Sequence, residues 1–274
     1  MKVAFILRGG ISKVQSRLSF PSSINSADVP FVNFLACSKS INQHIFDANP
    51  GVDFDVYLQS WNPELKEALI EIYNPRSHHF SFNSQYENEI RIRCKESLRN
   101  EPIKISNFRE RIRSLTPGEY TRSNDYSGIS QALAIHLGIQ LVEKSVEQYD
   151  FVILYRPDLL LVKDICLNNY NSNVISVNNY DNCLGDFHWI FKPDYLLSFS
   201  RLWESTKIGN YHETHFWIKR YFDFFLKIPY EMDRIIAGKD QEVLRQIKAT
   251  HISFEEARRF GVTRKEFDSY TITS

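Results

Sequence analysis

The sequence predicts an α/β protein in which helices flank one open, mostly parallel sheet. A short, nearly continuous apolar run from Lys2 to Leu7, with β-branched and aromatic residues, is typical of a buried parallel strand. An amphipathic helical segment over 32–46 separates it from a second strand pattern, Asp53 to Trp61. A third apolar run covers 149–155. Strands that alternate with helices in this way form parallel sheets covered on both faces.

The remaining elements extend this pattern. Asn62 and Pro63 are typical of a helix cap and first helical position, so a helix follows the second strand. Apolar residues at helical spacing predict a long helix from Tyr126 to about Val146. Pro193 begins a further helix, and the rest of the chain is expected to be mostly helical. Additional strands are predicted at 174–177, 185–191 and near 251–253.

Composition narrows the class of protein. The chain has 274 residues, with 33 Lys and Arg against 33 Asp and Glu. A net charge of zero gives no general attraction to nucleic acid, so we expect no nucleic-acid partner. The four cysteines lack the short spacings of a zinc site. We expect a single cytoplasmic domain over 1–274, which at this length needs no disulfide for stability.

The segment from Arg91 to Arg113 is strongly basic, with eight Lys or Arg against three Asp or Glu. It lies in a charge-rich stretch that we interpret as a helical insertion. A solvated helical face explains such a composition, and contact with an anionic partner or a membrane surface is the alternative. The sequence therefore leaves peripheral membrane contact open.

Two charged loops follow predicted strands, at 8–10 and 156–158. Because ligands of open parallel sheets bind at the carboxyl ends of the strands, these loops are the candidate rims of a site. The first loop matches neither of the common glycine-rich phosphate-binding patterns. It does carry two cations, Arg8 and Lys13, which can donate charge-assisted hydrogen bonds to a diphosphate. Surface charges on a tight turn are the alternative interpretation.

Asp158 stands immediately after a buried strand, where a carboxylate loses hydration unless a metal, a cation or a ligand hydroxyl meets it. Arg156 is close enough in sequence to supply that cation as an internal ion pair. Alternatively, Asp158 holds Mg²⁺ or Mn²⁺ against a nucleotide diphosphate. The sequence alone leaves both interpretations open.

Three segments of the sequence resemble small bacterial and viral glycosyltransferases with the GT-A fold. They are the first strand, which ends in Phe-Ile-Leu-Arg-Gly, the strand at 55–61 and the run from Tyr149 to Leu159. The resemblance implies a Rossmann-like sheet, a nucleotide-binding part over about 1–165 and an acceptor-binding part over about 166–274. It implies that Lys13 lies near the phosphates of a nucleotide-sugar donor such as a UDP- or GDP-sugar. It also places four residues near the base and ribose: Phe5, Leu7, Arg8 and Gly9.

The same resemblance suggests roles for three carboxylates. Arg156 and Asp158 align with the Asp-x-Asp motif of these enzymes, but only the second carboxylate is kept, so Asp158 is the expected ligand of Mn²⁺ or Mg²⁺. Arg156 is the alternative, as a direct diphosphate ligand. Asp186 matches the acceptor-side base, unless it only caps a turn. Asp240 is a rival carboxylate at an expected helix start, where the helix dipole favours it structurally.

These expectations define a main hypothesis and two rivals. The main hypothesis is a glycosyltransferase that moves a sugar from a nucleotide-sugar to a glycan or lipid-linked acceptor in the synthesis of a surface polysaccharide or glycan. The first rival is a non-catalytic nucleotide- or carbohydrate-binding protein. The second is a nuclease or phosphotransferase in which Asp158 and Asp186 hold a metal.

Overall fold

A computed structural model describes most of the chain. The described residues are 1–11, 32–100, 123–180, 183–208, 218–219, 221–237, 239–243 and 253–270. Three features named above lie outside these ranges: Lys13, the predicted strand near 251–253 apart from Ser253, and the second half of the basic segment.

Nine strands are described. Four belong to the first half of the fold: β1 (Lys2–Gly9), β2 (Asp53–Ser60), β3 (Ser77–Phe80) and β4 (Phe151–Tyr155). The others are β5 (Leu159–Leu161), β6 (Ile175–Tyr180), β7 (Cys183–Phe191), β8 (Tyr230–Ile236) and β9 (Gln241–Val243).

Seven of these strands form one mixed sheet in the order β3-β2-β1-β4-β7-β6-β8. The pairs β1 with β2, β1 with β4, β2 with β3 and β6 with β8 are parallel, whereas β7 is antiparallel to both of its neighbours. Six strands therefore point the same way, and β7 alone runs against them. The short strands β5 and β9 form a separate antiparallel pair.

Helices cover both faces of the large sheet. The described α-helices are α1 (Val32–Ile41), α2 (Lys66–Tyr73), α3 (Glu87–Asn100), α4 (Ser123–Glu143), α5 (Leu196–Ser200), α6 (Leu202–Ser205), α7 (Phe254–Arg258) and α8 (Arg264–Tyr270). Alternate residues of β1 enter two different cores. Phe5 packs with residues of α1 and α2 on one face, and Ile6 packs with residues of α3 and α4 on the other. This alternation is what a strand buried on both faces requires.

The predicted α/β architecture with a mostly parallel sheet is confirmed, and so are the long helix and the first strands. Helical residues outnumber strand residues in the described part of the C-terminal region, as predicted, but that region also contains β8 and β9, which were not predicted. In β8 the inward positions include Asp233, whose carboxylate bonds to His188 and Tyr170. A buried carboxylate interrupts the apolar alternation by which a strand is recognised in a sequence.

The described part of the basic segment is internally paired. Arg91 bonds to Glu87 on the same helix, and Arg93 donates to Glu204 while its guanidinium lies 3.8 Å from the centre of the Trp203 ring. Arg91 therefore stabilises α3 itself, and Arg93 stabilises its packing against α6. No helix within the described ranges has the length and apolarity needed to cross a membrane.

Candidate functional site

The candidate site lies where the order of strands changes direction. β1 pairs with β2 on one side and with β4 on the other, so the chain first builds the sheet outward from β1 and later returns to its opposite side. Ligands of open α/β sheets bind at such a switch point, outside the carboxyl ends of the strands. Arg8 is the penultimate residue of β1, and Arg156 directly follows β4. Because β7 is antiparallel to β4, its first half, with Asp186, reaches the same edge.

Arg156 is the central cation of the site. Its Nε and Nη2 donate to the two carboxylate oxygens of Asp158 at 3.0 and 2.9 Å, and its Nη1 donates to Oδ2 of Asp186 at 3.0 Å. All three residues are buried. Burial alone would lower the pKa of Arg156, but the charges of Asp158 and Asp186 outweigh it and raise that pKa. The internal ion pair, one of the two interpretations of Asp158, is thus present in the structure.

Asp186 joins three elements of the fold. Its Oδ2 accepts hydrogen bonds from Arg156 and from Nε2 of Gln131 on α4, while its main-chain carbonyl accepts from Nη2 of Arg8. The predicted site residues Arg8, Arg156, Asp158 and Asp186 are therefore brought together. Gln131 was not predicted as a site residue, because a glutamine within a long helical pattern carries no local signal of a functional role.

The loop after β1 is shaped by Gly9 and by two neighbouring side chains. Gly9 has a φ of 107°, a conformation that glycine adopts readily and other residues avoid. Its N–H donates to Oε1 of Gln59 at 2.9 Å, and Ile11 N donates to Oδ1 of Asn62 at 2.8 Å. Gln59 is fully buried, and Nε2 of its amide has no acceptor among the described residues. Gln59 was also missed from the sequence.

Phe5 and Leu7 belong to the hydrophobic core beneath this loop. Both are fully buried, and the Phe5 ring lies 5.2 Å from the ring of Phe46 and 5.8 Å from that of Tyr155. Their side chains support β1 from within the protein. The polar groups that reach the edge of the sheet come from Arg8, Gly9 and Gln59.

Asp240 lies apart from the cluster around Arg156. It stands in a turn before β9 and not at the start of a helix, so the expected helix is wrong here. Its Oδ2 accepts from Ile236 N at 3.0 Å and lies 3.4 Å from Nζ of Lys163. Through these contacts the Asp240 carboxylate stabilises the turn between β8 and β9. Its neighbour Gln241 points instead into a buried polar network.

A buried polar network around His188 lies beside β7, next to Tyr155 of the core that α1 and α2 cover. His188 Nε2 lies 2.6 Å from Oδ2 of Asp233, and its Nδ1 lies within 3.2 Å of the Gln241 side chain. The Tyr155 ring stacks on His188 at 6.2 Å, with its hydroxyl 3.4 Å from Nε2 of Gln241. Tyr155 precedes Arg156, and His188 follows Asp186 by two residues. The network thus fixes the two strands that carry the cluster.

The fit of a divalent metal can be tested on the arrangement of the carboxylates. Both oxygens of Asp158 accept from Arg156, and Asp158 is only 2% exposed. Asp186 uses Oδ2 for two donors. Within the described residues, no three His, Cys, Asp or Glu side chains are grouped so that they could hold a metal ion. In this arrangement the described site does not fit Mg²⁺ or Mn²⁺.

A cleft of about 840 Å³ opens at the opposite end of the central strands, near the starts of β1 and β4. Its lining includes Glu147, Asp150 and Lys192, and it contains none of the predicted site residues. Glu147 is already paired with Lys2 and Arg76. The charges that converge at the switch point, and not this cleft, define the candidate site.

Comparison with protein-family models gives no match, and no curated protein matches the sequence.

Proposed function

We propose that the protein is a glycosyltransferase that uses a nucleotide-sugar donor, such as a UDP- or GDP-sugar, and transfers the sugar to a glycan or lipid-linked acceptor. The observation that carries the proposal is the convergence of Arg8, Arg156 and Asp186 at the switch point of the sheet. Cations for a diphosphate and a carboxylate for a proton are the two kinds of group that this transfer needs. The resemblance of the strand motifs to GT-A enzymes supports the same function.

Arg156 is suited to a diphosphate because its guanidinium is held in a fixed plane. A guanidinium carries five N–H donors, and the bonds to Asp158 and Asp186 use three of them. The remaining donors can meet phosphate oxygens without breaking the ion pairs. Preorganised donors of this kind stabilise charge that develops on a leaving phosphate.

The charges of the described cluster balance before any ligand binds. Arg8 and Arg156 carry two positive charges, and Asp158 and Asp186 carry two negative ones. A diphosphate therefore needs a further cation, and Lys13, which follows the β1 loop in sequence, is our candidate for that role. Because the carboxylates in this arrangement do not fit a divalent metal, we expect nucleotide binding to need no added metal, and the experiment below tests this.

Asp186 is our candidate for the base that removes the proton of the acceptor hydroxyl as the hydroxyl attacks the anomeric carbon. In that step the oxygen–hydrogen bond of the acceptor breaks and a new glycosidic bond forms. The bond from the anomeric carbon to the diphosphate breaks, and the nucleoside diphosphate leaves with the electron pair. The proton passes to the Asp186 carboxylate.

The balanced charges also favour a second candidate, a non-catalytic protein that binds nucleotides or carbohydrates. In such a protein the Arg156 ion pairs would serve only to hold the ends of β4 and β7 together. Turnover distinguishes the two candidates, because a binding protein leaves the nucleotide-sugar intact.

The test is a thermal-shift panel of UDP, GDP and their sugar derivatives, with Mn²⁺ or with a chelator. A ligand at 100 times its Kd stabilises a protein by about 2.7 kcal/mol. We expect one nucleotide to raise the Tm of the wild type and to lose this effect with Arg156→Met. The matched control is Arg264→Met, which removes an arginine from the exposed Arg264–Asp268 pair.

The same samples are then assayed for release of nucleoside diphosphate from the stabilising nucleotide-sugar, with mixed glycan acceptors. Release supports the glycosyltransferase, and binding without release supports the binding protein. Stabilisation that persists with the chelator assigns the diphosphate to the cations of the chain. Absence of any nucleotide effect on the wild type would overturn the proposal.

A further inference from the structure

Gln131 lies at the centre of the site although nothing in its sequence context marks it. It stands on α4, and its Nε2 donates to Oδ2 of Asp186, the oxygen that also accepts from Arg156. Asp186 is thus held by one neutral and one charged donor that come from different elements of the fold. Since Asp186 is only 7% exposed, contacts within the protein, these two hydrogen bonds among them, orient its carboxylate more than water does.

The position of Gln131 is set by the close approach of α4 to the sheet. Gly138 follows Gln131 by seven residues, or two helical turns, so the two residues lie on the same face of α4. A Cβ added at Gly138 would lie 2.9 Å from Cγ2 of Ile6 and 3.7 Å from Cβ of Arg8. Because Gly138 has no side chain, α4 can lie directly on β1. This contact brings the amide of Gln131 over the end of the sheet.

A neutral donor at this point has a specific chemical advantage. Arg156 already supplies a positive charge to Asp186, and a second cation from α4 would further reduce the ability of the carboxylate to accept a proton. The amide of Gln131 adds a hydrogen bond with a defined direction and no net charge. It can fix the orientation of the carboxylate and lowers its basicity less than a second cation would.

We propose that Gln131 is a positioning residue for Asp186, acting on the transfer step through the orientation of that carboxylate. This inference rests on the proposed function, in which Asp186 accepts the proton of the acceptor hydroxyl. Gln131 does not itself touch the reacting atoms. Its removal should therefore slow the chemical step and leave binding of the donor nucleotide unchanged.

The experiment compares Gln131→Met, which keeps the size of the side chain and removes the donor, with Gln131→Asn, which keeps the amide but shortens its reach. Each is measured alone and in an Asp186→Ala background. The control is Gln140→Met, the same change on the same helix at a residue that contacts His136. The readouts are kcat, the KM for the nucleotide-sugar, the Kd of the nucleoside diphosphate and the midpoint of urea unfolding.

We expect both Gln131 variants to lower kcat by about 10- to 100-fold, because a misplacement of about 1 Å can cost as much as about 100-fold. The KM and Kd should stay within twofold of the wild type. In the Asp186→Ala background, Gln131→Met should cause no further loss, because residues that act through one another are not additive. Gln140→Met should match the wild type in kcat.

Unchanged kcat in both folded variants would overturn the assignment. An equal fold-loss of kcat from Gln131→Met in the wild type and in the Asp186→Ala background would overturn it as well. If Gln131→Met does not fold, the same criteria apply to Gln131→Asn. Failure of the proposed function is distinguishable, since the wild type itself would then neither bind a nucleotide nor release one from a nucleotide-sugar. In that case the positioning role is withdrawn as well.

Discussion

The two carboxylate oxygens of Asp158 both accept hydrogen bonds from the guanidinium of Arg156, two residues earlier in the chain. Pro157 lies between them and restricts the backbone of Arg156 to an extended conformation. The Arg-Pro-Asp sequence after β4 therefore forms a compact turn in which a buried cation and a buried anion neutralise each other. Because the same guanidinium also reaches Asp186, the turn connects the end of β4 with β7.

Removing Asp158 should destabilise the protein substantially. With Asp158→Ala, the buried Arg156 retains only Asp186 as its carboxylate among the bonds described above, and breaking a buried pair in this way costs about 3 kcal/mol or more. Urea unfolding measures the change in the free energy of unfolding. The control is Asp268→Ala, which breaks an exposed pair with Arg264 and should cost less than about 1 kcal/mol. Equal losses in the free energy of unfolding for the two substitutions would show that the buried pair contributes no more to stability than the exposed pair.

The fold was largely predictable because strands and helices of the first 160 residues have strong periodic patterns. Lys2 to Leu7 is apolar on both faces, and β1 indeed contributes to two cores. β8 was not predictable in the same way. Its inward-facing Asp233 is stabilised by His188, which lies 45 residues earlier in the sequence. Periodicity describes local apolar faces and contains no information on such a distant partner.

The site was predictable where the residue type itself signals chemistry. Arg8, Arg156, Asp158 and Asp186 are charged residues at the ends of predicted strands, and the structure brings them together. Gln59 and Gln131 were missed. They are neutral amides: Gln59 reaches Gly9 because β2 pairs with β1, and Gln131 reaches Asp186 because α4 lies on the sheet. Their relevance therefore depends on contacts between elements and not on spacing within one.

Gly138→Ala tests the contact between α4 and the sheet. The new methyl group would lie 2.9 Å from Cγ2 of Ile6, which is fully buried and has little room to move. Overpacking of this kind costs about 1–3 kcal/mol, partly offset because alanine favours helix. Ser127→Ala on an exposed position of the same helix is the control, with an expected change within about 0.5 kcal/mol. If Gly138→Ala unfolds at the same urea concentration as the wild type, α4 has space to adjust.

The pair of His188 and Asp233 predicts a loss of stability in acid. Burial works to raise the pKa of Asp233, but hydrogen bonds from His188, Ile235 N and Tyr170, together with the charge of His188, hold it below the usual value. Its contribution to stability is therefore fully present above the unfolded-state pKa of about 3.9. That contribution is lost as the pH falls through the lower pKa of the folded state.

The measurement is urea unfolding of the wild type and of Asp233→Asn at intervals from pH 6 to pH 2.5. The difference in the free energy of unfolding between them should be constant at the upper end and should shrink as the pH falls below about 4. Asp194→Asn, which changes an exposed carboxylate, is the matched control and should leave the acid dependence as in the wild type. A constant difference across the whole range would contradict an Asp233 with a lowered pKa.

Asp186 and Asp240 are the two carboxylates that the sequence predicts as candidates for the catalytic base, and substitutions distinguish them. Asp186 shares a cluster with both arginines, whereas Asp240 bonds to Ile236 N and Lys163 in a turn. If Asp186 is the base, Asp186→Asn should lower kcat by at least about 100-fold, the lower range of general base catalysis, with the Kd of the nucleoside diphosphate little changed. Asp240→Asn should keep kcat within a few fold and lower the Tm by a few degrees. The reverse pattern, a large loss of kcat with Asp240→Asn alone, would move the base to Asp240 and reduce Asp186 to a partner of Arg156.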